Sequence, residues 1–138
     1  MKARARPPLD VSRRASALMA VLAAKPGAVA NAMPAPKGRD TGVLIYKVMG
    51  KMFAIVSLRN DESVILKCDP NLAHALRRQY KGVGHRSHLD KRFWICVTLD
   101  ADVPAKEVRR LVEHSYDLVC SGLTRKQKAE LAALQTAS

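Results

Sequence analysis

Runs of apolar residues separated by short polar breaks fill the middle of the chain, and this pattern predicts β-strands. The runs GVLIYKV and KMFAIVSL are joined by Met49-Gly50, and two β-branched runs joined by two residues predict a hairpin. After a polar break, SVILKC predicts a third strand. Further along, HRSHLDKRFWICVTLD predicts two more strands joined at Asp90-Lys91-Arg92. Both alternate sets of its last strand are largely apolar, which indicates a central strand covered on both faces.

Apolar residues at helical spacing predict helices after the third and the fifth strand. Asp69-Pro70 supplies an N-cap and a first-turn proline, and Gly82 ends the helix that follows. A long helix runs from Pro104 to Gly122. The segment Thr124–Gln127 has the spacing of a capping box, so a short helix is expected to end the chain.

The N-terminal segment admits two interpretations. Its basic residues, short apolar run and Ala-Asn-Ala resemble a signal peptide. However, Asp10 interrupts the basic region and the apolar run is short, whereas apolar residues recur at helical spacing from Val11 to Leu22. We therefore favour an amphipathic helix with Asp10 or Ser12 as its N-cap. No run approaches transmembrane length. No membrane partner is expected, and because the cysteines are interpreted as reduced, the expected location is cytoplasmic.

The predicted order is α-β-β-β-α-β-β-α plus a short C-terminal helix. It indicates an α+β fold, a two-layer sandwich in which an antiparallel five-stranded sheet is backed by helices. The segment KPGAVANAMPAPKGRD is rich in Pro, Gly and Ala, which predicts a connecting loop before the first strand. Residues 1–8 are expected to form a basic, mobile tail, and residues 9–138 a single domain.

Net charge changes this picture because it points to a polyanionic partner. The chain carries 24 basic and 12 acidic residues, a formal net charge of +12. Within residues 41–138, most of the excess lies between Arg77 and Arg92, where six basic residues face one acidic residue, Asp90. Such a segment favours nucleic acid, an acidic protein or an anionic membrane surface as a partner. The alternative interpretation is a basic surface that is exposed to solvent and binds no partner.

Residue types that carry catalysis or metal binding occur in patterns that favour structural roles. The three cysteines are widely spaced and lie in apolar runs, which indicates reduced, buried thiols rather than disulfides or a zinc site. The four histidines have no metal-ligand spacing. No phosphate-binding glycine loop opens a helix. We expect no enzyme activity, no cofactor and no metal. Ser115-Tyr116-Asp117 is interpreted as a structural hydrogen-bond cluster, with a substrate site as the alternative.

Four separated segments in order, YKVMGKMFAIVSL, LKCDPNLAHALRRQY, HLDKRFWICVTLD and HSYDLVCSGL, resemble the MmcQ/YjbR-like family. The resemblance is strongest over residues 40–126. It implies a two-layer α/β fold, described as CyaY-like or secretion-chaperone-like, for which nucleic-acid binding through hairpins has been proposed. It implies no catalytic residues.

The chain departs from the family pattern at two places. Met49 stands where the family hairpin usually has a first glycine, and because Met resists positive φ, the turn is expected to need positive φ at Gly50 alone. Phe93 and Asp90 replace a usual His and Asn, so a ligand contact made by those residues in relatives would be lost here.

The candidate binding residues follow from the charge and from the resemblance. Six basic residues come from a helix end, a loop and a hairpin tip, and they are expected to contact phosphates: Arg77, Arg78, Lys81, Arg86, Lys91 and Arg92. Lys51 and Lys67 are candidates for holding an anion. Lys67 is also expected near Lys91, although each lysine could instead pair with a neighbouring Asp.

Trp94, the single tryptophan, is interpreted as a buried anchor beside this charged tip, with a surface stacking role as the alternative. Two function classes remain. The first is a non-enzymatic, cytoplasmic DNA-binding module that contacts phosphates of the double helix or of another polyanion. The second is a module that binds a partner protein or a small ligand. Salt dependence separates them, because binding to phosphates weakens steeply as salt rises.

Overall fold

The computed structural model describes residues 11–33, 41–59, 61–85 and 87–137. Four helices and six strands are formed in these ranges. The helices are α1 (Arg13–Ala23), α2 (Pro70–Gln79), α3 (Ala105–Ser121) and α4 (Arg125–Ala137). The strands are β1 (Ala28–Ala32), β2 (Val43–Val48), β3 (Lys51–Ser57), β4 (Ser63–Lys67), β5 (Val83–Gly84) and β6 (Trp94–Thr98). Within the described residues, no helix combines the length and the apolar character needed to cross a bilayer.

The strands form one antiparallel sheet with the order β1-β2-β3-β4-β6-β5, and its two faces differ. Buried residues of all four helices join a single cluster with alternate strand residues, such as Val56, Val64 and Val97. The helices therefore pack on one face of the sheet. The other face, called here the helix-free face, carries the intervening residues, which include Ile65 and its cross-strand partner Cys96. The α+β class with an antiparallel sheet backed by helices is thereby confirmed.

The sheet has six strands, so the predicted number of five is wrong. The additional strand is β1, which lies in the segment expected to be a loop, and it pairs with β2 from Ala28↔Val48 to Ala32↔Leu44. Its sequence, AVANA, has little β-propensity. Pairing with the free edge of β2 after a positive-φ turn at Gly27 makes it a strand, and neither feature is readable from local sequence.

The hairpin between β2 and β3 corrects a second prediction. Both central residues have positive φ, 50° at Met49 and 80° at Gly50, which is typical of the two-residue turns that match strand twist. The left-handed conformation is unfavourable for a side chain such as that of Met49. Met49 also packs against the core, and this contact offsets part of the backbone cost.

The β5–β6 hairpin is less regular than the pattern predicts. Strand β5 has two residues and pairs through Val83↔Val97 and Gly84↔Cys96. Asp90-Lys91-Arg92 is therefore not the tip of two long strands. It forms a turn directly before β6.

Helix starts agree well with the sequence signals. Ser12, one of the two expected caps, accepts a hydrogen bond from the Ala15 N–H, and Asp69 accepts from the first turn of α2. Thr124 and Gln127 form a reciprocal capping box with distances of 3.0 and 3.1 Å. Helix α4 is longer than expected, with 13 residues. Helix α2 ends earlier than expected, at Gln79 rather than next to Gly82.

Three successive residues of α3, His114, Ser115 and Tyr116, form hydrogen bonds with other parts of the chain. His114 Nε2 accepts a hydrogen bond from the Asp69 N–H at 3.1 Å. The Tyr116 hydroxyl donates to the Pro26 carbonyl at 2.6 Å, and its ring packs edge-on against Phe53. The interpretation of Ser115-Tyr116-Asp117 as a structural hydrogen-bond cluster holds for Ser115 and Tyr116, whose hydroxyls bond backbone carbonyls, whereas Asp117 is exposed and stays a prediction.

The Ser115 hydroxyl fills a gap in the β-ladder. Strands β3 and β4 pair as far as Ala54↔Leu66, and beyond that point the ladder has no direct bond. Ser115 Oγ accepts from the Lys67 N–H at 2.9 Å and donates to the Phe53 carbonyl at 2.6 Å. The side chain is fully buried. One hydroxyl therefore satisfies two backbone groups at the place where the strands separate.

Replacing Ser115 by Ala should leave both backbone groups without a partner. We expect Ser115→Ala to lower the free energy of unfolding by about 1–3 kcal/mol, the usual cost of a buried unsatisfied polar group. Urea unfolding followed by circular dichroism measures this change. Ser121→Ala is the matched control, since the exposed Ser121 hydroxyl bonds within its own helix. Equal losses in the two variants would contradict the role of Ser115.

Candidate functional site

Trp94 opens β6 directly opposite Lys67, the last residue of β4. Residues directly opposite on neighbouring strands share a face, so both lie on the helix-free face. The Lys67 Nζ lies 6.0 Å from the centre of the Trp94 ring, within the range of a cation–π contact. Trp94 is half-buried and lies outside the core cluster. The interpretation of Trp94 as a buried anchor is therefore wrong, because strand alternation points its ring away from the helices.

Arg77 of α2 braces the turn that precedes β6. Its Nη2 donates to the Lys91 carbonyl at 2.7 Å and to the Trp94 carbonyl at 2.9 Å. Long side chains on a helix lean toward its N-terminus, and this brings Arg77 back to the end of the sheet where α2 begins. The guanidinium fixes the turn through backbone carbonyls, and the Lys91 side chain remains exposed.

Asp90 and Arg92 hold each other within this turn. The Asp90 carboxylate accepts from the Arg92 N–H at 2.9 Å and from Arg92 Nη2 at 2.7 Å. The side-chain hydrogen bond from Arg92, followed by its backbone hydrogen bond, lowers the pKa of Asp90 to about 2. The Asp90 carbonyl also accepts from the N–H groups of Phe93 and Trp94, both at 3.0 Å. Arg92 is thus partly neutralised by a carboxylate on its own turn.

Phe93 lies on the surface. Its side chain is 38% exposed, and the Arg92 guanidinium carbon lies 5.3 Å from the ring centre. Phe93 belongs to the turn before β6 and not to the strand. Together these residues form the "Trp94 cluster", defined as Lys67, Arg77, Lys91, Arg92, Phe93 and Trp94. Cations beside accessible aromatic rings are suited to contact phosphates and base faces.

Lys81 lies at the other end of β6 and not in the Trp94 cluster. The N–H groups of Lys81 and Gly82 donate to the Asp102 carboxylate at 2.8 and 2.7 Å. These hydrogen bonds lower the pKa of Asp102. The Gly82 carbonyl accepts from the Thr98 N–H, and Thr98 is the last residue of β6. Five strand residues span about 13 Å, so the end of α2 and the turn do not form one patch.

The remaining candidates are dispersed. Arg78 lies on the exposed side of α2, one residue beyond Arg77. Arg86 lies outside the described residues. Lys51 pairs with Val48 and so shares the helix-covered face, whereas Lys67 lies on the helix-free face. Lys51 and Lys67 therefore lie on opposite faces of the sheet, and each stays a separate candidate for holding an anion. The alternation of side chains along each strand assigns the two lysines to opposite faces once the register of strand pairing is known.

The cysteines offer little thiol chemistry. None of the three forms a disulfide, and Cys68 and Cys96 are buried as expected, whereas Cys120 is half-buried. Burial, reinforced by the Asp69 charge, raises the pKa of the Cys68 thiol to about 11. Cys68 is thus a protonated core residue at neutral pH and a poor nucleophile.

The sheet, the helices on one face and the turn before β6 define an open-faced α+β sandwich. The sequence profile of the YjbR family matches residues 23–118. The chain belongs to the YjbR family. It is 32% identical over 120 residues to the uncharacterized protein YjbR of Escherichia coli K12. These residues are 86% of this chain and 98% of that protein. The uncharacterized protein YbdF of Escherichia coli O157:H7 is 28% identical over 85 residues, which are 61% of this chain and 70% of that protein.

Solved structures show the same fold. The Deinococcus radiodurans protein DR2400, described by its family domain DUF419, superposes with a TM-score of 0.72 at 31% identity, over 85% of this chain and 86% of that chain. A protein from Pseudomonas syringae superposes with a TM-score of 0.62 at 21% identity, over 78% of this chain and 98% of that chain. The second similarity shows the fold alone.

The Asp90–Arg92 pair yields a pH prediction. Because the pKa of Asp90 is lowered to about 2, its contribution to stability is complete above the unfolded pKa of about 3.9 and is lost as the pH falls through about 2. Carbon-detected NMR of the Asp90 carboxyl measures this titration. In Arg92→Ala, the Asp90 pKa should return toward about 3.9. An unchanged Asp90 pKa in that variant would show that another group lowers it.

Proposed function

We propose that this protein is a non-enzymatic DNA-binding module that contacts the phosphates of duplex DNA with Lys67, Lys91 and Arg92. The observation that carries the proposal is the brace made by Arg77. Its two hydrogen bonds hold the turn, with Lys91 and Arg92, beside the Lys67–Trp94 pair. Cations fixed on a rigid turn lose little conformational entropy when they meet a phosphate.

The distribution of charge supports phosphate contact rather than base reading. The chain has a net charge of +12, which favours attraction to a polyanion such as duplex DNA. Among the described cations of the Trp94 cluster, Lys67 and Lys91 pair with no carboxylate, whereas Arg92 shares its charge with Asp90. Lysine binds phosphate as a point charge, which positions a protein on DNA but carries no base information. We therefore expect binding with little sequence preference.

The aromatic rings of the cluster favour an additional contact. Phe93 exposes 38% of its side chain beside Arg92, and Trp94 is half-buried beside Lys67. Rings in such positions can stack on unpaired bases. A comparison of single-stranded and duplex DNA of the same length distinguishes stacking from phosphate contact.

A second candidate function is the binding of a partner protein on the helix-free face. Cross-strand pairing aligns Ile45, Ile55 and Ile65 in one row, and all three are half-buried. No described helix packs on this row. An apolar row of this kind is suited to a protein partner, and its binding would depend little on salt.

Titration of duplex DNA at low salt tests the first proposal. Because Trp94 is the single tryptophan, its fluorescence reports directly on the cluster. We expect the emission of Trp94 to change on binding and the affinity to fall steeply with salt. Lys91→Glu and Lys67→Glu should each weaken binding and reduce the salt slope by about one unit, since each removes one phosphate contact.

Lys128→Glu is the matched control. It makes the same charge change on the exposed side of α4, far along the chain from the Trp94 cluster. An equal loss in Lys128→Glu and Lys91→Glu would indicate attraction by net charge alone and would contradict a localised site. If wild-type protein shows no affinity for duplex DNA at low salt, the DNA proposal is wrong and the helix-free face becomes the first candidate.

A further inference from the structure

A cavity of about 280 Å³ lies between α1 and the start of α3, apart from the Trp94 cluster. Its apolar walls come from both helices and from the residue after β6: Ala17, Leu18, Val21, Leu99, Ala105 and Val108. All are aliphatic, and no aromatic side chain of the described residues lines the cavity. The interior is therefore suited to a flexible hydrocarbon rather than to a ring that stacks on aromatic neighbours.

Three arginines complete the lining of this cavity. Arg13 and Arg14 come from the first turn of α1, and Arg109 comes from the second turn of α3. Arg14 donates to the Leu99 carbonyl, which is a bond to a neutral acceptor. Within the described ranges, no carboxylate forms an ion pair with any of the three. Three exposed arginines thus border an apolar interior, and the Glu62 carboxylate, which accepts from Ser12, lies at the N-terminus of α1 next to Arg13.

The first turn of α3 adds to this positive potential. Its N-cap, Pro104, provides no side-chain acceptor for the helix N–H groups, and Ala105 lies on the cavity wall. The positive end of the helix dipole therefore faces the same region. Glu107, the acidic residue of that turn, pairs with Arg110, which is outside the lining.

We propose that this cavity binds a small amphipathic anion, a carboxylate with an unbranched aliphatic chain. The chain would lie against Leu18, Leu99 and Val108, and the carboxylate would meet Arg13 and Arg109. At roughly 30 Å³ for each small group, the volume accommodates about nine heavy atoms. This size is just below that of most ligand pockets, which span about 300–1,000 Å³, and so indicates a small ligand. The inference is independent of DNA binding, because it uses other residues on another part of the molecule.

The probe that matches this volume is octanoate. We expect octanoate to bind saturably and to shift the backbone amide resonances of Leu18, Val21 and Val108 in nitrogen-15 NMR spectra of the full chain. Octanol has the same chain without the charge, and acetate has the charge without the chain. Both should bind at least about tenfold more weakly than octanoate, since octanol lacks the carboxylate and acetate lacks the aliphatic chain.

Substitutions locate the site. Arg13→Gln and Arg109→Gln should each weaken octanoate binding about tenfold, the order expected for one charge-assisted hydrogen bond. Ala17→Leu should block binding by filling the cavity. It places a strong helix former at an exposed helical position, so folding should be preserved. Arg125→Gln on α4 is the control and should leave octanoate affinity unchanged.

Two outcomes would overturn the inference. Equal affinities for octanoate and octanol would show that the arginines do not recognise the anion. Resonance shifts confined to the helix-free face, or unaffected by Ala17→Leu in a folded variant, would show that the ligand binds elsewhere. DNA affinity should be the same in wild type and Ala17→Leu, so failure of this proposal is distinguishable from failure of the DNA proposal.

Discussion

The Ser115 hydroxyl is the interaction on which the arrangement of sheet and helices depends. Beyond Ala54↔Leu66, strands β3 and β4 separate, and the hydroxyl of a helix residue takes the place of the missing ladder bond. A backbone group left unpaired at this buried position would cost free energy, so α3 has to sit where Ser115 reaches both strands. Its neighbours His114 and Tyr116 then fix the start of α2 and the turn before β1. The rotation and the height of α3 on the sheet are thereby determined.

Much of the positive charge in the middle of the chain is used to organise the backbone. Arg77 binds two carbonyls and Arg92 binds the carboxylate of Asp90, so these guanidiniums shape the turn before β6. The Lys67 ammonium lies over the Trp94 ring, and the Lys91 side chain is exposed. Arginine suits the first task because its planar fork donates several hydrogen bonds at once, whereas lysine suits contact with a mobile anion. The different contacts of the arginines and the lysines thus follow from the chemistry of their side chains rather than from the number of charges.

Local patterns predicted the elements that local physics determines. The caps at Ser12 and Asp69 and the capping box at Thr124 follow from side chains that bond their own neighbours, so a sequence reveals them. Strand β1 was not predicted from the sequence, because pairing with β2, and not its own composition, makes it extended. The number of strands was therefore underestimated although the class of fold was correct.

The candidate site was predictable in composition but not in arrangement. The high density of basic residues between positions 77 and 92 is evident from the amino-acid sequence. That Lys81 lies at one end of β6 and Lys91 at the other depends on pairing partners, here Thr98 and Asp102, which no spacing reveals. The same holds for Trp94, because both faces of β6 are apolar and alternation alone does not say which face the helices cover.

The turn at Met49 connects the hairpin with the end of the chain. Its left-handed backbone, unfavourable by about 1–2 kcal/mol for a residue with a side chain, coexists with packing of the Met49 side chain on the core that includes Leu131 of α4. Gln127 of α4 also reaches the Met49 carbonyl, and Leu131 lies close over Gly27. Helix α4 follows the part of the chain that the family profile matches. Met49 and α4 are therefore energetically coupled, and their contributions to stability are not additive: the residue that costs most in the hairpin is worth keeping only while the terminal helix is docked.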